Sequence, residues 1–132
     1  MGEQTAMQIA VVIPLFNGER WISRTLDSVI AQSLAPHEII LVDDGSEDGS
    51  REIASTFPDV TLWRNPLKGT HHARNFGLGK STAEAVIFLD QDDIWHPRHL
   101  EILSALLQSH PGACAAVSAS MTFASEAELH FE

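Results

Sequence analysis

Ile39-Ile40-Leu41-Val42-Asp43-Asp44-Gly45-Ser46 is the stretch that decides the fold. Four consecutive large aliphatic residues are typical of a strand whose two faces are both covered, and an acidic turn follows this strand at once. The same arrangement, an apolar run closed by polar residues, begins at Ile9 and again at Ala85. The repeated pattern predicts a parallel sheet whose strands carry the functional residues at their carboxyl ends.

Helical patterns separate the apolar runs. One apolar stripe is formed by Ile22, Leu26, Val29 and Ile30, and Asn17 is placed to cap the helix that carries it. We predict strands over Ile9–Pro14, Ile39–Val42, Val60–Trp63, Ala85–Leu89 and Ala113–Val117. We predict helices over Gly18–Ser33, Asp48–Phe57 and His71–Lys80, and a last helix with Pro97 in its first turn, Leu100, Leu103 and Leu107 on its buried face, and its end before His110.

The composition fits one α/β domain. The chain has 132 residues, of which 44% are apolar, and this is enough for a single core. Strands that alternate with helices form right-handed βαβ units and a mostly parallel sheet. We therefore predict a Rossmann-like, three-layer α/β/α sandwich in which residues 1–132 form one domain.

Charge and the pattern of apolar residues argue against several classes of function. The formal net charge of −10 argues against binding of nucleic acid through its phosphates. No apolar run approaches the length of a membrane span. The segment Met1–Met7 lacks the basic and apolar regions of a signal peptide, so we expect a cytoplasmic location and leave the inner face of the membrane open. Cys114, the single cysteine, lies in a small apolar run and is predicted to be buried.

Asp90, Asp92 and Asp93 follow a predicted strand and give the strongest functional signal. Three carboxylates within four residues repel unless a cation joins them, and a hard divalent cation with oxygen ligands is the natural partner. Alternation along an extended segment would send Asp90 and Asp92 to the same side. A metal held there would neutralise a diphosphate leaving group. The alternative is a solvated loop whose aspartates cap the next helix, and it suits Asp93 best.

The other strand ends carry candidates for a nucleotide. Asp44 is placed to accept a hydrogen bond from a base, or else only to support its turn, whereas Asp43 is predicted to hold that turn. Phe16 is placed to stack on a base, or else to pack in the core. Lys68 and Arg74 are scarce cations near this edge and candidate phosphate ligands, and Arg74 is equally a candidate partner for a carboxylate of the same edge.

Two other patterns are rejected. Gly77-Leu78-Gly79-Lys80-Ser81 is similar to the end of a P-loop, but Arg74 stands where that motif needs glycine, and the segment belongs to a predicted helix. A zinc site is disfavoured because no cysteine accompanies the four histidines of this region, His71, His72, His96 and His99.

Four motifs in register resemble family 2 glycosyltransferases, and the resemblance extends from Ile9 to Val117. They are Val12-Ile13-Pro14-Leu15-Phe16-Asn17, Val42-Asp43-Asp44-Gly45-Ser46, Lys68-Gly69-Thr70-His71-His72-Ala73-Arg74-Asn75-Phe76-Gly77 and Phe88-Leu89-Asp90-Gln91-Asp92-Asp93. Each motif is weak alone, but the four together are specific. The resemblance implies a GT-A fold and transfer of a sugar, with inversion, from a nucleotide-diphosphate donor to a hydroxyl of a glycan or lipid-linked acceptor.

The resemblance also implies roles for individual residues. Pro14, Phe16 and Asp44 would hold the base, and Asp92, with Asp90, would bind Mn²⁺ or Mg²⁺. A UDP-sugar is favoured, although Leu15 and Phe16 replace the usual threonine and tyrosine. We therefore expect the nucleotide-sugar site to consist of Pro14, Leu15, Phe16, Asn17, Asp44, Lys68, Arg74, Asp90, Gln91 and Asp92, with Lys68 near the base or diphosphate and with Asp90 and Gln91 at the ribose.

Members of the family continue into an acceptor-binding half that supplies the general base. We expect this chain to be truncated before that half, with the base beyond Glu132, and to bind the donor without efficient transfer alone. Two alternatives remain: a non-catalytic nucleotide-binding module, and a Mg²⁺-dependent aspartyl phosphatase, which the bulky Ile94 and Trp95 disfavour. An unfinished sheet edge would favour self-association.

Overall fold

The computed structural model describes residues 6–118 and residue 120, and their backbone forms four strands and four helices. In chain order these are β1 (Ile9–Leu15), α1 (Ile22–Ile30), β2 (Glu38–Asp43), α2 (Ser50–Ser55), β3 (Val60–Arg64), α3 (Thr70–Lys80), β4 (Ala85–Phe88) and α4 (His99–Ser109). Within this described part, no helix combines the length and the hydropathy that crossing a bilayer requires. The predicted alternation of strand and helix is confirmed for these eight elements.

The four strands form one parallel sheet in the order β3-β2-β1-β4. The chain moves outward from β1 to β2 and β3, and then crosses to the other side of β1 to place β4. Leu15 lies beside Asp43, and Val12 lies beside Phe88, so the strands end at the same edge. Because the strand order reverses at β1, a crevice opens between the carboxyl ends of β1 and β4, where doubly wound sheets bind ligands.

Helices cover both faces of the sheet and make three layers. On one face, α1, α2 and α4 pack against alternate strand residues such as Val11 and Leu41. On the other face, α3 packs against Val12 and Val42. Gly77 lets α3 approach closely, since a Cβ atom there would lie 2.4 Å from Val12 Cγ1. The predicted α/β/α sandwich is confirmed.

The helix predicted over Gly18–Ser33 is shorter, and Asn17 does not cap it. Trp21 and Ile22 donate backbone hydrogen bonds to Gly18 O, so a turn precedes α1. Asn17 has a left-handed backbone with φ 47°. Asparagine tolerates this conformation better than most residues because its short amide bonds locally. At the far end of the predicted stripe, Ile30 is 39% exposed.

The predicted fifth strand and the predicted buried thiol are both wrong. Residues 113–117 form no strand within the described part of the chain, and the Cys114 side chain is exposed. An extended segment becomes a strand only where a neighbour supplies ladder hydrogen bonds, and the alanines of this segment offer little apolar area to dock it. Among residues 6–118 and 120, β4 therefore pairs with β1 alone. The last helix begins at His99, two residues after Pro97.

Candidate nucleotide-sugar site

A pocket of about 280 Å³ opens at the carboxyl ends of the strands, at the point where the strand order reverses. It is lined by Pro14, Leu15, Phe16, Asp44, Thr70, Asp90, Gln91 and Asp92. Sequence reasoning singled out all of these except Thr70, the first residue of α3. Of the other three predicted residues, Lys68 and Arg74 contact lining residues, and Asn17 bonds to the neighbouring loop.

A second groove, of about 750 Å³, lies beside β4 and α4, away from these strand ends. Its walls include Ile9, Leu78 and Leu103, and Glu84 is the one charged residue among the described residues that line it. A diphosphate needs partners such as Lys or Arg, and the described residues that line this groove include neither. The smaller pocket is therefore the candidate nucleotide site.

Phe16 places an accessible aromatic ring at the pocket. Phe16 follows β1 directly and is 46% exposed, so its ring is not buried in the core. Lys68 Nζ lies 6.0 Å from the centroid of this ring, at the outer limit of a cation–π contact. The two side chains, predicted separately, thus lie on the same side of the pocket. A flat apolar surface beside a positive charge suits a nucleobase joined to phosphates.

Asp44 supports the loop that leads into α3. Its carboxylate accepts hydrogen bonds from the Gly69 backbone N–H at 3.0 and 3.1 Å and from Asn65 Nδ2 at 2.9 Å. Gly69 has φ 118°, a conformation that residues with a side chain rarely adopt. Asp44 also lines the pocket, so its structural role and its predicted contact with a base are compatible. Asn65 Oδ1 is buried without a partner among the described residues.

The loops after β1 and β2 are tied together. As predicted, the Asp43 carboxylate holds its turn by accepting from the Gly45 and Ser46 backbone N–H groups. The Asn17 N–H donates to Ser46 Oγ at 3.0 Å, and Asn17 Oδ1 accepts from the Glu47 N–H at 2.9 Å. Asn17 therefore shapes the pocket indirectly, by fixing the position of the neighbouring loop.

Gln91 anchors the end of β1 to the acidic segment. Its Oε1 accepts from the Phe16 N–H at 2.8 Å, and its Nε2 donates to Phe16 O at 2.9 Å. A Cβ atom at Gly18 would lie 2.5 Å from Gln91 Oε1, so glycine makes room for this amide. The polar end of Gln91 is thus engaged by backbone, and the side chain sets the position of Phe16.

The acidic segment is a turn, and the prediction that it is extended is wrong. The Asp93 N–H donates to Asp90 O at 3.1 Å, so backbone alternation does not place Asp90 and Asp92. Both nevertheless line the pocket. Partial burial raises the pKa of Asp93 above its usual range, and the negative charges of Asp90 and Asp92 raise this pKa further. Asp93 does not cap α4, because that helix begins at His99 and has no side-chain cap.

Arg74 compensates part of this negative charge. Its Nη2 donates to Asp90 Oδ1 at 3.0 Å, with the arginine side chain 34% exposed and the aspartate 58% exposed. Of the two roles considered for Arg74, the ion pair with a carboxylate of this edge is the one that the structure shows.

Thr25 of α1 holds the acidic turn, Gln32, two residues after α1, holds the segment that leads from this turn into α4, and sequence reasoning missed both residues. Thr25 is fully buried, and its Oγ1 donates to Gln91 O at 2.7 Å. Gln32 Nε2 donates to His96 O at 2.8 Å, and Gln32 Oε1 accepts from the Leu100 N–H at 3.0 Å. The sequence feature that could have indicated these residues is a pair of polar residues, seven positions apart, beside the apolar stripe of the predicted helix. Such residues end up buried only where backbone partners meet them.

The donor set suits a divalent metal that is completed by a ligand. In the part of the chain that the structure describes, no three His, Cys, Asp or Glu side chains converge to hold a metal ion. Asp90 and Asp92 are two carboxylates at one pocket. Mg²⁺ is often held by one or two carboxylates together with substrate phosphates and water, and Mn²⁺ accepts similar oxygen ligands. The two aspartates fit such an ion provided that phosphate oxygens complete its coordination.

Comparison with known proteins identifies the family and agrees with this fold. Residues 10–130 match the model of the Glycosyl transferase family 2, and the chain belongs to this family. An uncharacterized glycosyltransferase of Nostoc is 36% identical over 108 residues, which are 78% of this chain and 34% of that protein. The chain therefore spans about a third of the length of this relative.

Two solved structures share the fold. Staphylococcus aureus TarS 1-349 in complex with UDP superimposes with a TM-score of 0.74 and 26% identity, over 80% of this chain and 33% of that chain. A mannosyltransferase from Pyrobaculum calidifontis in complex with GDP-Man and Mn²⁺ gives 0.64 and 30%, over 78% of this chain and 32% of that chain. The parallel sheet with its flanking helices is thus the GT-A fold.

Proposed function

We propose that this chain forms the donor-binding part of a glycosyltransferase, and that its pocket binds a UDP-sugar together with Mn²⁺ or Mg²⁺. The observation that carries the proposal is the meeting of Phe16, Asp44, Asp90 and Asp92 at one pocket. These residues follow three different strands, and the chain belongs to a glycosyltransferase family, for which a pocket of this kind is a candidate donor site. The UDP complex of TarS favours uridine, and the GDP complex of the mannosyltransferase makes guanosine the competing base.

Each residue has a part in this proposal. The Phe16 ring stacks on the base, and the Asp44 carboxylate accepts from a base N–H with an oxygen lone pair that the Gly69 loop leaves free. Asp92 and Asp90 would hold the cation, which would supply positive charge to neutralise the diphosphate leaving group. Lys68 adds a positive charge on the side of Phe16. Thr70, at the start of α3, lies where a hydroxyl can meet a ribose or phosphate oxygen.

The reaction follows from donor chemistry. An acceptor hydroxyl oxygen forms a bond to the anomeric carbon while the bond from that carbon to the diphosphate oxygen breaks. The diphosphate leaves with the electron pair, and a general base outside the described residues takes the acceptor proton. Direct displacement inverts the anomeric centre. The acceptor is a glycan or a lipid-linked glycan, and the reaction takes place in the cytoplasm or at the inner face of the membrane.

Calorimetric titration tests the proposal. The purified chain is titrated with UDP, GDP and dTDP in the presence of Mn²⁺ and again with EDTA. We expect metal-dependent binding of UDP that Asp92→Asn weakens by at least about tenfold, because even the partners of metal ligands contribute that much. Asp59→Asn is the matched control, since Asp59 precedes β3 at the opposite edge of the sheet. A folded chain that binds none of the three nucleotides would refute the proposal.

A further inference from the structure

The acidic turn presents a charge problem that Arg74 addresses. Asp90, Asp92 and Asp93 lie within four residues, so their negative charges repel one another. Arg74 reaches this turn from α3, and its Nη2 lies 3.0 Å from Asp90 Oδ1. The two residues are 16 positions apart, so the pairing depends on how α3 docks against the sheet. The chain therefore brings its own cation to the place where the donor's metal is proposed to bind.

The ion pair places Arg74 in competition with that metal. Asp90 lines the pocket and is one of the two carboxylates that suit a divalent ion. A guanidinium in contact with this carboxylate both occupies one of its oxygens and repels an approaching cation. Although Asp93 is close in the chain, no three His, Cys, Asp or Glu side chains of the described residues are arranged to hold a metal ion together. Without a nucleotide, the site therefore offers a metal ion too few ligands, and its negative charge is partly neutralised by Arg74.

We propose that Arg74 is a positioning residue that holds Asp90 while no metal is bound, and that it gives Asp90 up to the metal when a nucleoside diphosphate arrives. The diphosphate supplies the missing oxygen ligands and offers the released guanidinium a phosphate to pair with, a contact that suits its planar fork of donors. Arg74 therefore couples the two ligands, so that metal and nucleotide each bind tightly only with the other. Coupling of this kind is reciprocal by thermodynamic necessity.

This inference rests on the proposed function, and its test needs no transfer activity. Electron paramagnetic resonance of free Mn²⁺ gives the Mn²⁺ affinity of each variant at constant ionic strength, without nucleotide and with UDP. We expect Arg74→Gln to bind Mn²⁺ alone about tenfold more tightly, the scale of removing one neighbouring opposite charge. We also expect UDP to raise the Mn²⁺ affinity of this variant much less than that of the original chain. Arg74→Lys keeps the charge and should stay near the original Mn²⁺ affinity.

Two further variants separate this effect from a general change in charge or folding. Arg98→Gln removes an arginine from the exposed pair with Glu101, which lies beside Ser33 on the far side of the molecule, and should change neither affinity. Adding Asp90→Asn to Arg74→Gln should abolish the gain in Mn²⁺ affinity, because the carboxylate that Arg74 masks is gone. Circular dichroism checks that each variant is folded.

The outcomes distinguish the two proposals. If the original chain binds UDP with Mn²⁺ but Arg74→Gln binds Mn²⁺ alone no more tightly than it does, the coupling role is wrong and the donor site stands. A second outcome would also overturn the coupling role. If Arg74→Gln does not fold, Arg74→Lys becomes the test, because it keeps the positive charge and should therefore keep the original Mn²⁺ affinity. An altered Mn²⁺ affinity of Arg74→Lys would then contradict the role. If the original, folded chain binds none of UDP, GDP and dTDP with Mn²⁺, the proposed function fails and the coupling role fails with it.

Discussion

At the scale of single residues, the pocket depends on side chains that position others. Gln91 uses both ends of its amide on the backbone of Phe16, and Asp44 holds the Gly69 N–H. The resemblance implies that Gln91 contacts the ribose, whereas in this structure the amide fixes the ring that would stack on the base. Any contact with a ligand would thus come from the remaining hydrogen-bonding capacity of Gln91 or follow a rearrangement.

Gln91→Glu tests this role. A carboxylate would place an acceptor against Phe16 O, where the amide now donates, so the hydrogen bond would become a repulsion. We expect the free energy of unfolding, measured by urea denaturation, to fall by about 1–3 kcal/mol. Gln108→Glu makes the same charge change at an exposed position of α4 and should leave stability nearly unchanged. Equal stability of the two variants would show that the amide clamp contributes little.

At the scale of elements, α3 links the two halves of the site. Thr70, the first residue of α3, lines the pocket, and Arg74, the fifth residue, contacts the acidic turn. Gly77 packs closely against Val12 of β1. The P-loop-like segment is the last part of this helix and its cap, and Gly77 within it allows close packing against Val12. The distance of α3 from the sheet therefore decides where Arg74 meets Asp90.

Two alanine substitutions in α3 isolate that distance. Gly77→Ala and Gly79→Ala each gain helix propensity of about 1 kcal/mol. Gly77→Ala also drives a Cβ atom to 2.4 Å from Val12 Cγ1, whereas a Cβ atom at Gly79 meets nothing within 4 Å. We expect Gly77→Ala to be less stable than Gly79→Ala by about 1–3 kcal/mol in thermal unfolding, and to bind UDP with Mn²⁺ more weakly. Equal melting temperatures of the two variants would mean that α3 can shift away from Val12 without loss of stability.

At the scale of the whole molecule, the sheet has an open side. Among the described residues β4 pairs with β1 alone, the apolar groove lies beside β4, and Phe88 is 44% exposed. Unpaired strand edges next to apolar surface favour association with another chain.

We predict that the 132-residue chain self-associates through this side. Sedimentation velocity should show an average mass that rises with protein concentration. Phe88→Lys should suppress the rise, because it places a charge beside the open edge. Leu67→Lys, at a 59% exposed position in the loop after β3, is the matched control and should leave association intact. A chain that stays monomeric at all concentrations would contradict the prediction.

Much of the fold and the site could be predicted from local patterns. Continuous apolar runs such as Ile39–Val42 predict buried strands, and a polar cluster after each run predicts an edge where ligands bind. Seven of the eight described residues that line the pocket follow from this reasoning, and the family motifs identify their chemistry. The prediction fails where an element needs a distant partner: residues 113–117 are a short apolar run but form no ladder in the described structure.

The sequence by itself determined which residues stand at strand ends, because the periods of strand and helix are local properties of the chain. Only the tertiary structure decided that β4 lies beside β1, that Gln91 binds the backbone of Phe16, and that Arg74 pairs with Asp90. The first two of these pairings join residues about 75 positions apart. Such contacts depend on packing across the sheet, and no local pattern encodes that packing.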